Sequence, residues 1–197
     1  MSKILIIGGN GYIGTKLHQY LSIDEENNTT DKEIDIIDDC WFTGLNKPIE
    51  NTIIKDYRDM SAEFYSQYDN IILLAGHSSV KMSEAGLSSC FRNNVTNFIE
   101  LLEHTADLYA VKSDVEYYGL RFGTANGASP VLRTDVMINA MVNSALANGE
   151  IKLFIKDTMR PILGLNDLCG GIKAIIDNDT DKRGLYNLAS FNKTAEQ

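Results

Sequence analysis

The chain has 197 residues, enough to bury one sizeable core, and one compact unit or one unit with a small lobe is expected. Hydrophobic residues make up 44% and charged residues 23%, the balance of a folded globular protein and not of a disordered or fibrous one. A net charge of −9 excludes a non-specific nucleic-acid binder, which needs clustered Lys and Arg to neutralise phosphates.

Cys40, Cys90 and Cys169 are odd in number and far apart, so neither a disulfide framework nor a cysteine metal site is expected. His18, His77 and His104 are scattered without ligand spacing, and the serines lack a nucleophile-elbow sequence, so a metal or nucleophilic hydrolase is the weakest reading. Met1-Ser2-Lys3 leads directly into Ile4-Leu5-Ile6-Ile7, too short an apolar run for a signal peptide. No apolar run reaches the roughly 18 residues that a bilayer requires. A cytoplasmic protein with no membrane or nucleic-acid partner is expected.

In chain order, short runs rich in Ile and Leu alternate with segments of helical periodicity, the pattern of strands covered on both faces by crossover helices. Strands are predicted over Lys3–Ile7, Glu33–Asp38, Thr52–Lys55, Asn70–Ala75, Glu116–Phe122, Ile151–Phe154 and Gly184–Leu188. Helices are predicted over Tyr12–Leu21, Ala62–Gln67, Ser89–Glu103, Thr134–Asn148 and Asn166–Asp177. Asn148-Gly149 supplies a stop, and Asn166-Asp167 a capping start. The polar stretch Ser22 to Lys32 reads as an exposed loop. The fold class is α/β, a Rossmann-like doubly wound parallel sheet over residues 1–127, followed by a small C-terminal substrate lobe over 128–197. The last strand of that lobe is a candidate to return to the main sheet.

The first strand runs into Gly8-x-x-Gly11-x-x-Gly14, and a helix follows at once. Glycines there permit a tight turn, backbone approach to a pyrophosphate and close helix packing, while the helix start offers N–H groups and a positive dipole end. A glycine turn that merely joins strand to helix is the competing reading. The second strand, Ile34-Asp35-Ile36-Ile37-Asp38-Asp39, tips the balance, because it ends in carboxylates where a ribose-binding acid belongs. Asp38, with Asp39 as neighbour or substitute, would accept from ribose hydroxyls and repel a 2′-phosphate, which favours NAD over NADP.

Taken with Lys55-Asp56-Tyr57-Arg58-Asp59, Leu74-Ala75-Gly76-His77, Arg92-Asn93-Asn94-Val95 and Leu120-Arg121-Phe122-Gly123-Thr124, these motifs resemble the extended short-chain dehydrogenase/reductase family. Its members are NAD-dependent nucleotide-sugar epimerases and dehydratases. Arg160-Pro161-Ile162-Leu163, Asn166-Asp167-Leu168 and Leu185-Tyr186-Asn187-Leu188 continue the likeness. The resemblance implies cofactor contacts from Gly8, Gly11, Tyr12, Ile13, Gly14 and Asp38. It also implies Asp56 and Tyr57 near the adenine, and Ala75, Gly76 and Asn93 along the ribose and pyrophosphate. Arg160 would clamp the diphosphate of a nucleotide-sugar substrate, with Thr124 and Asn139 also facing the substrate, and a homodimer would form through helices that include Asn94 to Glu103.

The pattern breaks between Leu102 and Asp114, where family members carry a Ser/Thr-rich strand end and a Tyr-x-x-x-Lys helix. Here Tyr109 and Lys112 stand three apart instead of four, and residues are expected to be missing near 103–109 and after the Tyr186-Asn187-Leu188 segment, a true internal deletion being the competing explanation for the first gap. By the resemblance, Tyr109 would be the general base and Lys112 the cation that lowers its pKa. The expected function is an NAD-dependent epimerase or dehydratase working by transient hydride transfer. The alternative is a non-catalytic NAD(H)-binding protein that has lost its catalytic segment.

Overall fold

A computed structural model describes residues 2–24, 28–41, 47–78, 84, 86–101, 116–151, 153, 155–177 and 183–197. Tyr109, Lys112 and the segment 103–109 lie outside the described residues. The chain forms two compact units, residues 1–115 and 116–197. Strands β5 (Tyr118–Phe122) and β6 (Thr124–Asn126), expected with the N-terminal unit, pair with later strands and belong to the second.

In the first unit, β1 (Lys3–Ile7), β2 (Glu33–Asp38), β3 (Ile53–Ile54) and β4 (Asn70–Leu73) form one parallel sheet in the order β3-β2-β1-β4. Ile4, Leu5, Ile6 and Ile7 are between 0% and 1% exposed, which explains the unbroken apolar run: the central strand is covered on both faces. Leu5 and Ile7 join a core with Ile37, Tyr65, Tyr68 and Leu101. Ile4 and Ile6, one residue out of phase, point to the opposite face. Each such side chain removed from water contributes about 1.5–3 kcal/mol.

Helix α1 (Tyr12–Leu21) buries Tyr12, Thr15, Leu17 and Leu21 at helical spacing. The following loop is pinned to it, because the Thr30 hydroxyl donates to the Leu21 carbonyl at 2.8 Å. Helix α2 (Ala62–Tyr65) is shorter than expected and is capped by Ser61, whose hydroxyl accepts from the Phe64 N–H. Helix α3 (Leu87–Phe91) passes into a π-helical turn over Arg92–Thr96 before α-helix resumes through Leu101. A 3.6-residue periodicity cannot reveal such a turn.

In the second unit β5 pairs in parallel with β8 (Gly184–Leu188). Strand β6 pairs in parallel with β7 (Arg160–Gly164), and β9 (Phe191–Lys193) adds antiparallel to β7. The strand expected over 151–154 is not found: the described residues Ile151 and Leu153 belong to no strand. The apolar run Pro161-Ile162-Leu163 takes that place in β7, where Ile162 and Leu163 are buried. Helix α4 (Met137–Asn148) stops at Gly149, whose φ of 71° suits glycine. Helix α5 (Leu165–Ile176) starts one residue before its expected capping pair; Gly164 precedes it and no side chain caps it. Its buried face is Leu165, Leu168, Cys169, Ile172 and Ile176.

Candidate functional site

The three motif glycines do different things. Gly8 has φ 82°, and a Cβ there would stand 2.6 Å from the Ala75 backbone nitrogen, so the turn out of β1 passes directly against the end of β4. A Cβ on Gly14 would meet the Gly8 carbonyl oxygen at 2.5 Å and the Gly9 Cα at 2.6 Å, which is the close packing of α1 on the loop. Gly11 differs. Its Cβ would meet a single atom, the Gly8 carbonyl oxygen at 3.4 Å, an ordinary contact, so the protein itself tolerates a side chain there. No side chain caps α1, and its first turn carries no acid, so no carboxylate of the helix itself opposes its positive end.

Asp38, at the end of β2, is fixed by backbone donors. Its Oδ2 accepts from the Asn10 N–H at 2.8 Å and its Oδ1 from the Cys40 N–H at 2.8 Å. Carboxylate oxygens carry further lone pairs, so both bonds leave acceptor capacity for a ligand hydroxyl. Asn10, 2% exposed, ties the loop to the next connection: its Nδ2 donates to Thr52 Oγ1 at 3.1 Å and its Oδ1 accepts from the Ile49 N–H at 2.7 Å. Sequence reading passed over Asn10, although a polar residue between glycines was the available signal.

A cleft opens beside this loop. Gly8, Asp38, Asp56, Tyr57, Ala75, Gly76 and Asn93, all singled out from the sequence, line it together. Asp39 is also at the wall, and burial together with Asp38 and Asp56 raises its carboxyl above the ordinary range. Asp56 is held low by the Arg58 guanidinium, which grips it through Nε at 3.0 Å and through Nη2. Burial pushes the Tyr57 hydroxyl up to about 12, with Asp56 acting in the same direction. Three carboxylates thus face the cleft against Lys55.

On the opposite wall the π-helical turn brings two asparagines to the end of β4. Gly76 has φ 150°, and a Cβ there would lie 2.8 Å from Asn94 Oδ1, which also accepts from the His77 N–H at 2.7 Å. Asn93 Nδ2 lies 2.8 Å from His77 Nε2, and Asn97 Nδ2 donates to Asn93 Oδ1 at 3.0 Å. Asn93 is therefore a positioned wall residue. Trp41, His77 and Asn97 also line the cleft and were not singled out as cofactor residues. The spacing of Asn93 and Asn97, one helical turn apart, could have flagged the last.

In the second unit Thr124 and Arg160 stand on the paired strands β6 and β7, with Thr124 opposite Ile162 and Arg160 opposite Lys193. The Asn139 amide is committed to its own loop: Oδ1 accepts from the Gly127 N–H at 3.1 Å and Nδ2 donates to the Arg133 carbonyl at 2.8 Å. Buried Asn126 accepts from the Ile138 N–H at the start of α4, at 3.1 Å. No helix among the described residues is long and apolar enough to cross a membrane.

The sequence profile of the NAD-dependent epimerase/dehydratase family matches residues 4–113, more than half of the chain. The chain belongs to that family. Among curated proteins, none matches it. Similar solved structures include the UDP-N-acetylglucosamine 4-epimerase of Methanobrevibacter ruminantium M1 in complex with UDP-N-acetylmuramic acid. It is 18% identical, with a TM-score of 0.74 over 98% of this chain and 78% of that one. The UDP-glucuronic acid 4-epimerase of Bacillus cereus, in complex with UDP-glucuronic acid and NAD, is 17% identical, with a TM-score of 0.74 over 98% and 79%. The dTDP-glucose 4,6-dehydratase of Streptomyces venezuelae, with NAD bound, is 18% identical, with a TM-score of 0.73 over 98% and 77%. At these identities the likeness shows the Rossmann-like fold.

Two outcomes follow from the site. Gly11→Ala is expected to keep the melting temperature of the parent while NAD affinity in calorimetry falls at least tenfold, whereas Gly14→Ala, driven into backbone, costs about 1–3 kcal/mol of stability in urea unfolding. Equal effects of the two would refute the division of labour. For Arg58→Met the sign follows from the lowered Asp56 carboxyl: the ion pair stabilises above about pH 4 and the benefit is lost as pH falls through the native titration. The variant should be less stable than the parent by about 0.5–1 kcal/mol at pH 7, and the difference should vanish as pH falls through the lowered native titration of Asp56. A pH-independent difference in urea midpoints would refute the pairing.

Proposed function

We propose that the first unit binds NAD in this cleft and that the chain is an epimerase or dehydratase of a nucleotide-linked sugar. The observation that carries the reading is a Gly11 that the protein's own packing does not require to be glycine, next to an Asp38 already oriented by the Asn10 and Cys40 amides. NAD, when bound, supplies a reversible hydride acceptor. The residues present fit it: Gly11 and the uncapped start of α1 would hold the pyrophosphate, and Tyr12, Ile13 and Gly14 would offer the amides.

Asp38 would take ribose hydroxyls, and Asp39 beside it would resist a 2′-phosphate. Asp56, Tyr57, Ala75, Gly76 and Asn93 would enclose the adenosine. The second unit would take the sugar nucleotide, with Arg160 suited by its planar fork to a diphosphate and Thr124 on the adjacent strand. Asn139 contributes by fixing the loop that follows β6, not through a free amide. Tyr109 would accept the proton from a sugar hydroxyl, and Lys112 would hold its phenol low enough to do so, since a phenol near its ordinary value of about 10 is a poor base at neutral pH. The three-residue spacing of this pair favours a second reading, an NAD(H)-binding protein without turnover.

The similar solved structures include complexes with UDP-sugars and with NAD, which supports the substrate class. Incubation of the purified chain with NAD and a panel of UDP- and dTDP-sugars, followed by proton NMR, should show conversion of at least one; NAD binding with no conversion would establish the second reading. Asp38→Ala should lower the preference for NAD over NADP by about tenfold or more, the scale of one charge-assisted hydrogen bond. An unchanged ratio would remove Asp38 from the ribose.

A homodimer is part of the same reading. Leu87, Phe91 and Phe98 are 75%, 64% and 44% exposed along α3 and its continuation, an apolar stripe suited to a second copy. Phe91→Glu is expected to sediment as a monomer where the parent sediments as a dimer. A monomeric parent would refute the pairing.

A further inference from the structure

Trp41 is the most conspicuous aromatic side chain at the rim of the cleft. It is the one tryptophan of the chain, and at 58% exposure it holds a large apolar ring in water, although aromatic side chains commonly bury 150–250 Å² each. Its position is nevertheless set with care. Cys40 adopts φ 58°, a left-handed conformation that a cysteine rarely takes, and the Asp38 and Asp39 carboxylates accept from the Cys40 and Trp41 N–H groups at 2.8 and 3.4 Å. The turn therefore folds back from the ribose carboxylate and returns Trp41 to the cleft that Asp38 lines.

There the indole meets His77, which follows β4. The two ring centroids are 5.3 Å apart and tilted by 53°. In the sheet order β2 and β4 flank β1 on opposite sides, so this contact bridges the cleft from one flank to the other. The space left beneath it is about 60 Å³, against the roughly 300–1,000 Å³ of pockets that take whole ligands. An aromatic pair of this kind is worth only about 0.5–1.5 kcal/mol, little enough for a better partner to replace.

We propose that Trp41 is the purine platform of this site: it rests on His77 in the free protein and exchanges that ring for the adenine of the dinucleotide when the ligand enters. The proposal rests on the reading of the cleft as an NAD site and adds the residue that recognises the base. Every purine has a π-face that an indole can cover, and one base stacked on an aromatic side chain accounts for about a tenfold or larger change in affinity. Asp38 then reads the ribose and Trp41 the base, from positions three residues apart on one turn.

Because the chain holds one tryptophan, its fluorescence reports this residue alone. Titration with ADP-ribose, which lacks the nicotinamide, should change the emission saturably, with the same dissociation constant as calorimetry gives, and nicotinamide mononucleotide should leave it unchanged. Trp41→Ala should weaken ADP-ribose about tenfold, Trp41→Phe should recover most of that loss, and both should stay folded with cooperative melting, so that the loss of affinity is not a loss of fold. His77→Ala should shift the emission of the free protein to the red and still respond to ADP-ribose. Calorimetric binding of NAD with silent tryptophan emission and an unweakened Trp41→Ala would overturn the platform while leaving the NAD site standing. No binding of NAD to the parent chain would overturn both.

Discussion

The carboxylate of Asp38 accepts from the Asn10 amide on the glycine loop and from the Cys40 amide beyond its own strand. The parallel register makes this tie possible. Ile7 stands opposite Ile37, and the Gly8 N–H donates to the Ile37 carbonyl at 2.9 Å, so β1 and β2 end together and their loops leave side by side. A slip of one residue would send Asp38 to the other face of the sheet and remove the tie. The cleft inherits its shape from that register, and the register is held by the apolar side chains of β1, which no polar alternative could satisfy.

The glycine motif separates fold from ligand within one short loop. Gly8 and Gly14 have no room for a side chain because backbone atoms of the protein stand there; Gly11 has room, and is glycine for another reason. Asn10 shows the complementary case. Its side chain is buried and bonded to Thr52 and Ile49, so a position that the motif writes as variable here carries the link from the glycine loop to the segment after β2.

The first unit was legible because its signals are local. An unbroken Ile/Leu run, a glycine turn and a carboxylate at a strand end each depend on a few adjacent residues, and all three fall where expected. The second unit was harder. β6 and β9 have three residues each and take their identity from pairing with β7, which periodicity within them cannot show. The apolar run at 151–154 had the composition of a strand, but the register partner of β6 is Ile162-Leu163-Gly164. The π-helical turn at Arg92–Thr96 was invisible for a similar reason: it shows as a change of register, and it is what aims Asn93 and Asn94 at the end of β4. Trp41 and His77 meet across β1, a contact that only the sheet order creates.

An acidic chain with three carboxylates at the cleft is an unexpected host for a dianionic pyrophosphate, and the distribution of charge along the loop resolves this. The carboxylates stand at the ends of β2 and β3, where sugar hydroxyls and not phosphates would lie. The start of α1 has no acid in its first turn, so no carboxylate of the helix itself opposes the helix dipole at that point. Its attraction is short-ranged and aimed, whereas repulsion from the remaining net charge is spread over the surface and screened within about 8 Å at physiological salt. In the proposed site a third phosphate on the ribose would be carried out of the reach of the helix start and set against Asp38 and Asp39, where burial already makes negative charge costly.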